Sequence, residues 1–198
     1  MTMEKLMKPM LALAAAGLLT MTVTAQGMKK ADTTKENTVM VGGEAMYPMK
    51  DIVENAVNSK DHTTLVAAVQ AAGLVETLQS AGPFTVFAPT NNAFAALPEG
   101  SVEGLLKPEA KGTLTGVLTY HVVAGNMDTK ALKAAITKGD GKAKLKTVQG
   151  QELTLVMNGP NNIQVWDATG AYANISTYDV MQKNGVIHVI DRVLSPKM

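Results

Sequence analysis

Apolar residues recur every three to four positions over much of the first half of the chain, which is the spacing of amphipathic helices. This spacing predicts helices over Lys50–Val57, Asp61–Ala72 and Leu74–Leu78. A longer helix is predicted from Pro108 to Tyr120, because proline fits the first turn of a helix. The run Phe84–Ala88 lies between these helices and has the composition of a short β-strand.

Polar residues and glycine mark where the predicted helices begin and end. Asp61 or Thr63 can cap the second helix, and Gly73 can end it. Thr90 lies just beyond the early strand and can cap a short helix, and Asp128 can cap another further along the chain. The helix boundaries are thereby predicted independently of the apolar spacing.

From residue 143 onward the pattern changes to alternating or β-branched runs separated by turn residues, which is typical of strands. The predicted strands are Leu145–Val148, Glu152–Met157, Ile163–Trp166, Tyr172–Val180 and Val186–Ile190. Asn184-Gly185 predicts a type I′ hairpin before the last strand, because such a turn needs positive φ at both central residues. Helices first and strands last indicate an α+β fold with a mostly antiparallel, sandwich-like sheet.

The N-terminal residues have the composition of an export signal. Lys5 and Lys8 precede an uncharged apolar run, Met10–Leu19, and small residues follow up to Ala25. The run is half as long as the roughly 20 residues that a membrane-spanning helix needs. We therefore predict a signal peptide over residues 1–25, cleaved before Gln26, rather than a membrane anchor, and a secreted or periplasmic protein.

Composition excludes several classes of function for the rest of the chain. Residues 26–47 show no periodicity and are predicted to be a flexible leader, followed by a single domain over residues 48–198. Residues 1–25 hold two of the 18 Lys and Arg and one of the 17 Asp and Glu, so the remaining chain is formally neutral. A neutral chain without basic runs argues against a nucleic-acid partner. The absence of cysteine excludes disulfides and thiolate metal sites.

Three segments occur in an order that is similar to the signatures of the fasciclin domain family. They are Gly82–Phe94, the Tyr120–Val123 segment with its Tyr-His pair, and Asn184–Leu194. The chain resembles this family over about residues 48–196. The resemblance implies a wedge-shaped β-sandwich flanked by α-helices, in an exported or cell-surface protein that mediates adhesion. It implies no catalytic residues, since the family shares none.

The conspicuous residues of these segments are interpreted as folding motifs. Strand alternation, the Pro-Thr helix start and the Asn-Gly turn explain them without a ligand. The motif residues are Phe84, Phe87, Pro89, Thr90, Phe94, Tyr120, His121, Asn184, Gly185, His188 and Asp191.

No pattern in the chain points to catalysis or to a bound metal. His62, His121 and His188 are too far apart in sequence for a close-spaced zinc motif. His121 and His188 are therefore interpreted as buried, hydrogen-bonded structural groups. A Gly-x-Ser-x-Gly nucleophile elbow and a phosphate-binding loop are both absent from the sequence. We predict that the protein is not an enzyme and needs no cofactor or metal.

Asp179-Val180-Met181 is the best candidate for contact with a partner. By resemblance, animal fasciclin domains carry an Asp-Ile integrin-recognition segment at this place. The alternative is an aspartate that caps a turn. Lys138-Gly139-Asp140 resembles a short integrin-binding tripeptide but is interpreted as a plain turn, because three residues recur often by chance.

Two functions remain open on the sequence. The first is a non-catalytic module that adheres to a cell-surface or matrix protein or polysaccharide through its loops. The second is a carrier of a small apolar ligand, a pigment or a lipid, in a cleft between helices and sheet. Neither needs a membrane span in the mature form.

Overall fold

The computed structural model describes residues 38–197. The predicted signal peptide and the first part of the predicted leader lie outside the described residues. Seven α-helices are described: α1 Ile52–Ala56, α2 Thr63–Ala72, α3 Val75–Gln79, α4 Asn91–Ala95, α5 Ser101–Leu105, α6 Lys111–Tyr120 and α7 Thr129–Lys138. The described strands are β1 Val39–Val41, β2 Glu44–Met46, β3 Phe84–Pro89, β4 Val122–Ala124, β5 Lys142–Lys146, β6 Glu152–Asn158, β7 Asn162–Trp166, β8 Tyr172–Gln182 and β9 Gly185–Ile190.

Strands β3 to β9 form one curved sheet in the order β4-β3-β9-β8-β7-β6-β5. All neighbours are antiparallel except β3 and β9, which run parallel. The two ends of this order approach each other, because Val123 of β4 bridges to Thr147 just after β5. The backbone N–H of Val148 also donates to the carbonyl of Val122 at 2.8 Å. The predicted α+β class, a sandwich-like sheet flanked by helices, is confirmed.

The sheet separates two hydrophobic cores. The helical core lies between helices α1 to α6 and one face of β3, β8 and β9, and it includes Ile52, Leu65, Val69, Val86, Phe94, Leu118, Val180, Ile187 and Val189. The inner core is enclosed by the curved sheet and α7, and it includes Phe87, Tyr120, Leu132, Ile136, Leu153, Leu155, Ile163, Val165, Ile190 and Leu194. Strands β3 and β9 contribute to both cores, which explains why their sequences are apolar almost without alternation.

The described part of the predicted leader is not a flexible segment. Residues 38–47 include β1 and β2, which form an antiparallel hairpin in which Val39 pairs with Met46. Val41 and Met46 are buried in the helical core. The backbone N–H of Tyr47 donates to Asn55 Oδ1 at 3.0 Å, and Asn55 Nδ2 donates back to the Tyr47 carbonyl at 2.8 Å. Strands of three residues are too short to show periodicity, which is why the sequence missed them.

The predicted type I′ turn at Asn184-Gly185 is wrong. Gln182 of β8 pairs directly with Gly185 of β9, so Lys183 and Asn184 are the two loop residues. Neither of them, nor Gly185, has a positive φ. Asn184 instead uses its side chain: Oδ1 accepts from the Ile52 N–H at 3.1 Å, and Nδ2 donates to the carbonyls of Leu78 and Ser80 at 2.7 and 2.9 Å. The asparagine thus joins α1, the end of α3 and the β8–β9 turn.

Glycine is needed at position 185 because a side chain would clash with the neighbouring strand, not because the backbone has a positive φ. A Cβ atom added at this position would lie 2.1 Å from the carbonyl oxygen of Phe84, which is backbone of the neighbouring strand. Only glycine lets the parallel strands β3 and β9 approach each other here.

Three of the four predicted helix boundaries are confirmed. The Thr90 hydroxyl accepts from the Ala93 N–H at 3.3 Å, and Asp128 accepts from the Ala131 N–H at 2.8 Å. Gly73 ends α2 in the left-handed conformation, with φ 73°. The predicted cap at Asp61 or Thr63 is wrong, because a 3₁₀ turn over Lys60–His62 precedes α2 and His62 takes the N-cap position without a side-chain bond.

We expect Gly185→Ala to lower the free energy of unfolding by more than the ~1 kcal/mol of an average substitution, because the new Cβ meets backbone that cannot rotate away. Gly116→Ala is the control: Gly116 lies inside α6, and a Cβ there meets no atom within 4 Å. The control should be neutral or stabilising by up to ~1 kcal/mol. Chemical denaturation of both variants measures this, and equal stabilities would contradict the proposed crowding.

Candidate functional site

The predicted contact segment Asp179-Val180-Met181 lies in an irregular part of β8. The pairing of β8 with β9 shifts between Thr177 and Val180, and Asp179 adopts a φ of 55°. This is a β-bulge with the extra residue in the left-handed region, which aspartate tolerates better than most residues. The bulge turns Val180 into the helical core, where it is 1% exposed, and leaves Met181 37% exposed.

The carboxylate of Asp179 contacts the start of α7. Its Oδ1 accepts from the Thr129 N–H at 2.7 Å, one of the N–H groups that a helix N-terminus leaves unpaired. The alternative interpretation of this residue was an aspartate that caps a turn, whereas the carboxylate binds a backbone group 50 positions away in the chain. Of the three predicted contact residues, Met181 presents the most accessible side chain.

His188 is fixed between the contact segment and the loop before α7. Its Nε2 lies 2.9 Å from the Met127 carbonyl, which can only accept, so Nε2 carries the proton. Nδ1 then accepts the Asp179 N–H at 3.4 Å. The ring stacks on Phe87 at 5.8 Å and meets Tyr178 edge-on at 6.0 Å between centroids. Burial lowers the pKa of His188, opposed in part by the Met127 carbonyl and by Asp179.

His121 ties the C-terminal segment to α6. Its Nδ1 donates to the Val117 carbonyl at 2.8 Å, and its Nε2 accepts from the Leu194 N–H at 2.9 Å. Both nitrogens are satisfied only by the neutral ring, because a protonated Nε2 cannot accept. Burial lowers the pKa of His121 to about 4, opposed in part by the Val117 carbonyl and Asp167. His121 and His188 are thus both buried, and each ring is hydrogen-bonded through both nitrogens.

His62 differs from the other two histidines. Its Nδ1 lies 2.8 Å from the Ser59 hydroxyl, but its buried Nε2 has no hydrogen-bond partner among the described residues. Burial lowers its pKa, and the Ala88 carbonyl and Asp61 oppose this without closing a hydrogen bond to Nε2. The ring lines a cavity of about 110 Å³ between α2 and the sheet, whose other walls are almost entirely apolar.

The remaining motif residues hold the fold together. The Tyr120 hydroxyl donates to the Glu152 carbonyl and accepts from the Ala168 N–H, each at 2.9 Å. Asp191 accepts from the backbone N–H and from Nδ2 of Asn174, each at 2.8 Å. Phe87 and Phe94 lie in the two different cores, Phe84 is half-buried, and Pro89 ends β3.

Sequence reasoning missed Asp167 in the turn after β7. Its Oδ1 accepts from the N–H groups of Thr169 and Ala171 at 2.9 and 3.0 Å, and its Oδ2 accepts from the Ser195 N–H at 3.0 Å. The Asp-Ala-Thr-Gly run at 167–170 carries the signal of such a turn. The bond to Ser195 could not be read from the sequence, because it spans 28 positions.

Within residues 38–197 no three His, Asp or Glu side chains are grouped so that they could hold a metal ion. Across the same residues, no helix combines the length and the apolar character needed to cross a membrane.

Comparison with known proteins agrees with this geometry. The fasciclin domain model matches residues 60–196. Over 171 residues the chain is 44% identical to Protein sll1483 of Synechocystis, covering 86% of this chain and 87% of the relative. The chain belongs to the fasciclin domain family.

Two further matches support the family. The chain is 41% identical over 147 residues to the uncharacterized protein sll1735 of Synechocystis, covering 74% of this chain and 98% of that one. Its fold matches a solved FAS1 domain pair from the insect cell adhesion molecule Fasciclin I with a TM-score of 0.66 and 16% identity. That match covers 79% of this chain and 57% of the solved one. Fasciclin domains are in general non-enzymatic and are typically secreted or extracellular.

We expect the domain to lose stability in mild acid because of His121. Its folded-state pKa of about 4 lies below the unfolded value of 6.5, so the unfolded chain takes up the proton first as the pH falls. Stability is complete above pH 6.5 and declines towards pH 4, by about 3 kcal/mol for this group at 1.36 kcal/mol per pKa unit.

Denaturation at several pH values compares the native domain with His121→Asn, which retains an N–H donor but does not titrate. The variant should be less stable at neutral pH and should show a flatter decline between pH 6.5 and about 4. The carboxylates titrate alike in both proteins, so parallel declines would contradict this role of His121.

Proposed function

We propose that this protein is a non-catalytic exported module that binds a cell-surface or matrix partner. The observation that carries the proposal is that two of the three histidines, His121 and His188, use both ring nitrogens in hydrogen bonds to backbone groups. The third, His62, has no partner at Nε2 among the described residues, but that atom is buried. A catalytic histidine needs a nitrogen that reaches substrate. Membership of a generally non-enzymatic family, and a fold shared with an insect cell adhesion molecule, favour the same function.

Export stays part of this proposal. Fasciclin domains are typically secreted or extracellular. The predicted signal peptide over residues 1–25 supports the same location, although it lies outside the described residues.

The Asp179-Val180-Met181 segment remains our proposal for one protein-contact site. Met181 is 37% exposed and lies two positions after the half-buried Asp179, whose Oδ1 is already bonded to Thr129. Methionine is flexible and polarizable, which suits a contact side chain. Binding energy at such sites is concentrated in few residues, so truncation of one exposed anchor has a measurable effect.

We expect Met181→Ala to weaken attachment of the protein to envelope prepared from its native host, by about tenfold if Met181 is an anchor. Met49→Ala is a matched control, since Met49 is 77% exposed and lies before α1. A surface-binding assay measures attachment, and thermal melting verifies that both variants fold. Equal attachment of the two variants would exclude Met181 as an anchor.

The small-ligand carrier is the second candidate, and the cavity beside His62 favours it. The cavity is apolar, and His62, whose buried Nε2 has no hydrogen-bond partner among the described residues, is one of the residues that line it. Its volume of about 110 Å³ is smaller than the roughly 150 Å³ of an engineered protein cavity that holds benzene. A pigment or lipid would therefore need the helices to separate from the sheet.

Organic extraction of protein purified from its native host tests the carrier. A carrier should release a stoichiometric pigment or lipid, and Ala56→Phe, which enlarges a half-buried side chain that lines the cavity, should reduce the yield. Release of no such compound from the native protein would leave adhesion as the function. The same extraction of Ala134→Phe, at an exposed position of α7, is the control.

A further inference from the structure

The outer face of strands β5 to β8 faces away from both cores. Alternate residues of these strands point into the inner core, and the residues between them are exposed or half-buried. Strand register places Lys144, Thr154, Trp166 and Tyr172 in one row across this face. We call the outward side chains of β5 to β8 the outer platform.

Two aromatic side chains lie on the outer platform where β7 ends and β8 begins. Trp166 and Tyr172 are direct cross-strand partners, and their ring centroids are 5.0 Å apart with the planes inclined by 35°. Tyr172 is 42% exposed. The buried indole N–H of Trp166 makes no hydrogen bond among the described residues, which costs stability. A smaller apolar residue would serve the sheet without this cost, so the fold alone does not explain a tryptophan here.

Amide side chains border the aromatic pair. Gln164 lies two positions before Trp166 on the same strand and donates through Nε2 to Asn174 Oδ1 at 3.3 Å. Asn174 is itself held by Asp191, through its backbone N–H and its Nδ2. Asn174 therefore orients the amide of Gln164. This amide can both donate hydrogen bonds to hydroxyl groups and accept hydrogen bonds from them.

Three lysines form the other border. Lys142, Lys144 and Lys146 point outward from β5 at alternate positions, and all three are exposed. The only ion pair described for them joins Lys144 to Glu152 at 3.1 Å, so the border remains net positive. Lysines on a peripheral strand also discourage pairing with another sheet, but that role does not account for the aromatic pair beside them.

We propose that the outer platform binds an acidic polysaccharide. The inference rests on the proposed function as a binding module and adds a contact surface separate from Asp179-Val180-Met181. Two adjacent aromatic rings on the outer face of the sheet match the flat, C–H-lined face of a pyranose ring, whose polarised hydrogens meet the negative ring faces. Amide groups recognise hydroxyls, and the lysine border matches carboxylate or sulfate groups of the next sugar.

The spacing suits a chain of sugars rather than a single ion. β5 and β7 are separated by two strand spacings, about 10 Å, so an anionic group bound at the lysine border lies away from the strand that carries Trp166. An extended polymer lying across the strands contacts both. A phosphate or a simple carboxylate would need the lysines alone.

The test measures binding of alginate fragments, a polyuronate, to the full chain by isothermal titration calorimetry, with dextran as the neutral comparison. We expect alginate to bind and dextran to bind at least about tenfold more weakly, because it lacks the charges. Trp166→Ala should weaken alginate binding by about tenfold or more, and Trp166→Phe should restore part of it. Tyr172→Ala, at a more exposed position, provides the same readout should Trp166→Ala fail to fold.

Charge variants distinguish binding at the lysine border from a general attraction of alginate to positive charge. Lys142→Gln with Lys146→Gln should weaken alginate binding several-fold and make it less sensitive to salt. Lys107→Gln with Lys183→Gln removes the same charge from exposed positions outside the outer platform and should have little effect. Equal losses for the two pairs would overturn the assignment of the site.

Failure of this inference is distinguishable from failure of the proposed function. If alginate does not bind while the protein still attaches to native envelope, the outer platform is not a polysaccharide site and the adhesion module stands. If anionic lipid vesicles bind in place of alginate and the Trp166 variants behave as native, the inference is likewise overturned.

Discussion

The parallel pairing of β3 with β9 is the constraint on which the rest of the structure depends. It joins residues about a hundred positions apart, from Phe84 with Gly185 to Pro89 with Ile190. Closing so long a loop costs conformational entropy before any contact forms. The cost is offset by burial on both faces, since these strands supply side chains to the helical core and to the inner core. Glycine at 185 is what allows the two backbones to meet.

Buried polar side chains hold the two ends of this strand pair. At one end, Asn184 bonds to three backbone groups from α1 and from the end of α3. At the other, His121 fixes the segment that leaves β9, through the Leu194 N–H. Each has all its polar atoms satisfied, which is the condition under which buried polar groups favour one arrangement over others. The polar groups at the centre of the domain are therefore used to stabilise the fold, and both contact surfaces that we propose lie at its periphery.

The sequence predicted the class of fold because its signals are local. The caps at Thr90 and Asp128 and the αL ending at Gly73 depend on neighbouring residues only. Asn184-Gly185 was misinterpreted because its residues match a local turn signal but are needed for two long-range contacts. The Asn184 amide joins distant segments, and the backbone of Gly185 lies so close to Phe84 that no Cβ fits. Turn propensity cannot predict either contact, since both depend on residues in distant segments.

The candidate sites were less predictable for a related reason. Alternation shows that Trp166 and Tyr172 point away from the buried positions of their strands, but only the register shows that they touch. For Asp179-Val180-Met181 the order of residues suggested three adjacent contact groups. The bulge at Asp179 turns Val180 inward, and a bulge leaves no clear mark in a strand pattern.

The formal net charge of the chain does not describe its local electrostatics. The chain without residues 1–25 is formally neutral, yet residues 130–146 hold six lysines and one acidic residue, Asp140. A partner that approaches within the Debye length of roughly 10 Å meets the local field and not the sum over the surface. The neutrality of the chain is therefore compatible with charge-directed binding at the lysine border of β5.

Because α7 packs on the inner side of the sheet, its own lysines, Lys130, Lys133 and Lys138, lie on a different face from those of β5. The positive segment is thus divided between two surfaces, and only the one on β5 adjoins the aromatic pair that a sugar ring can stack on.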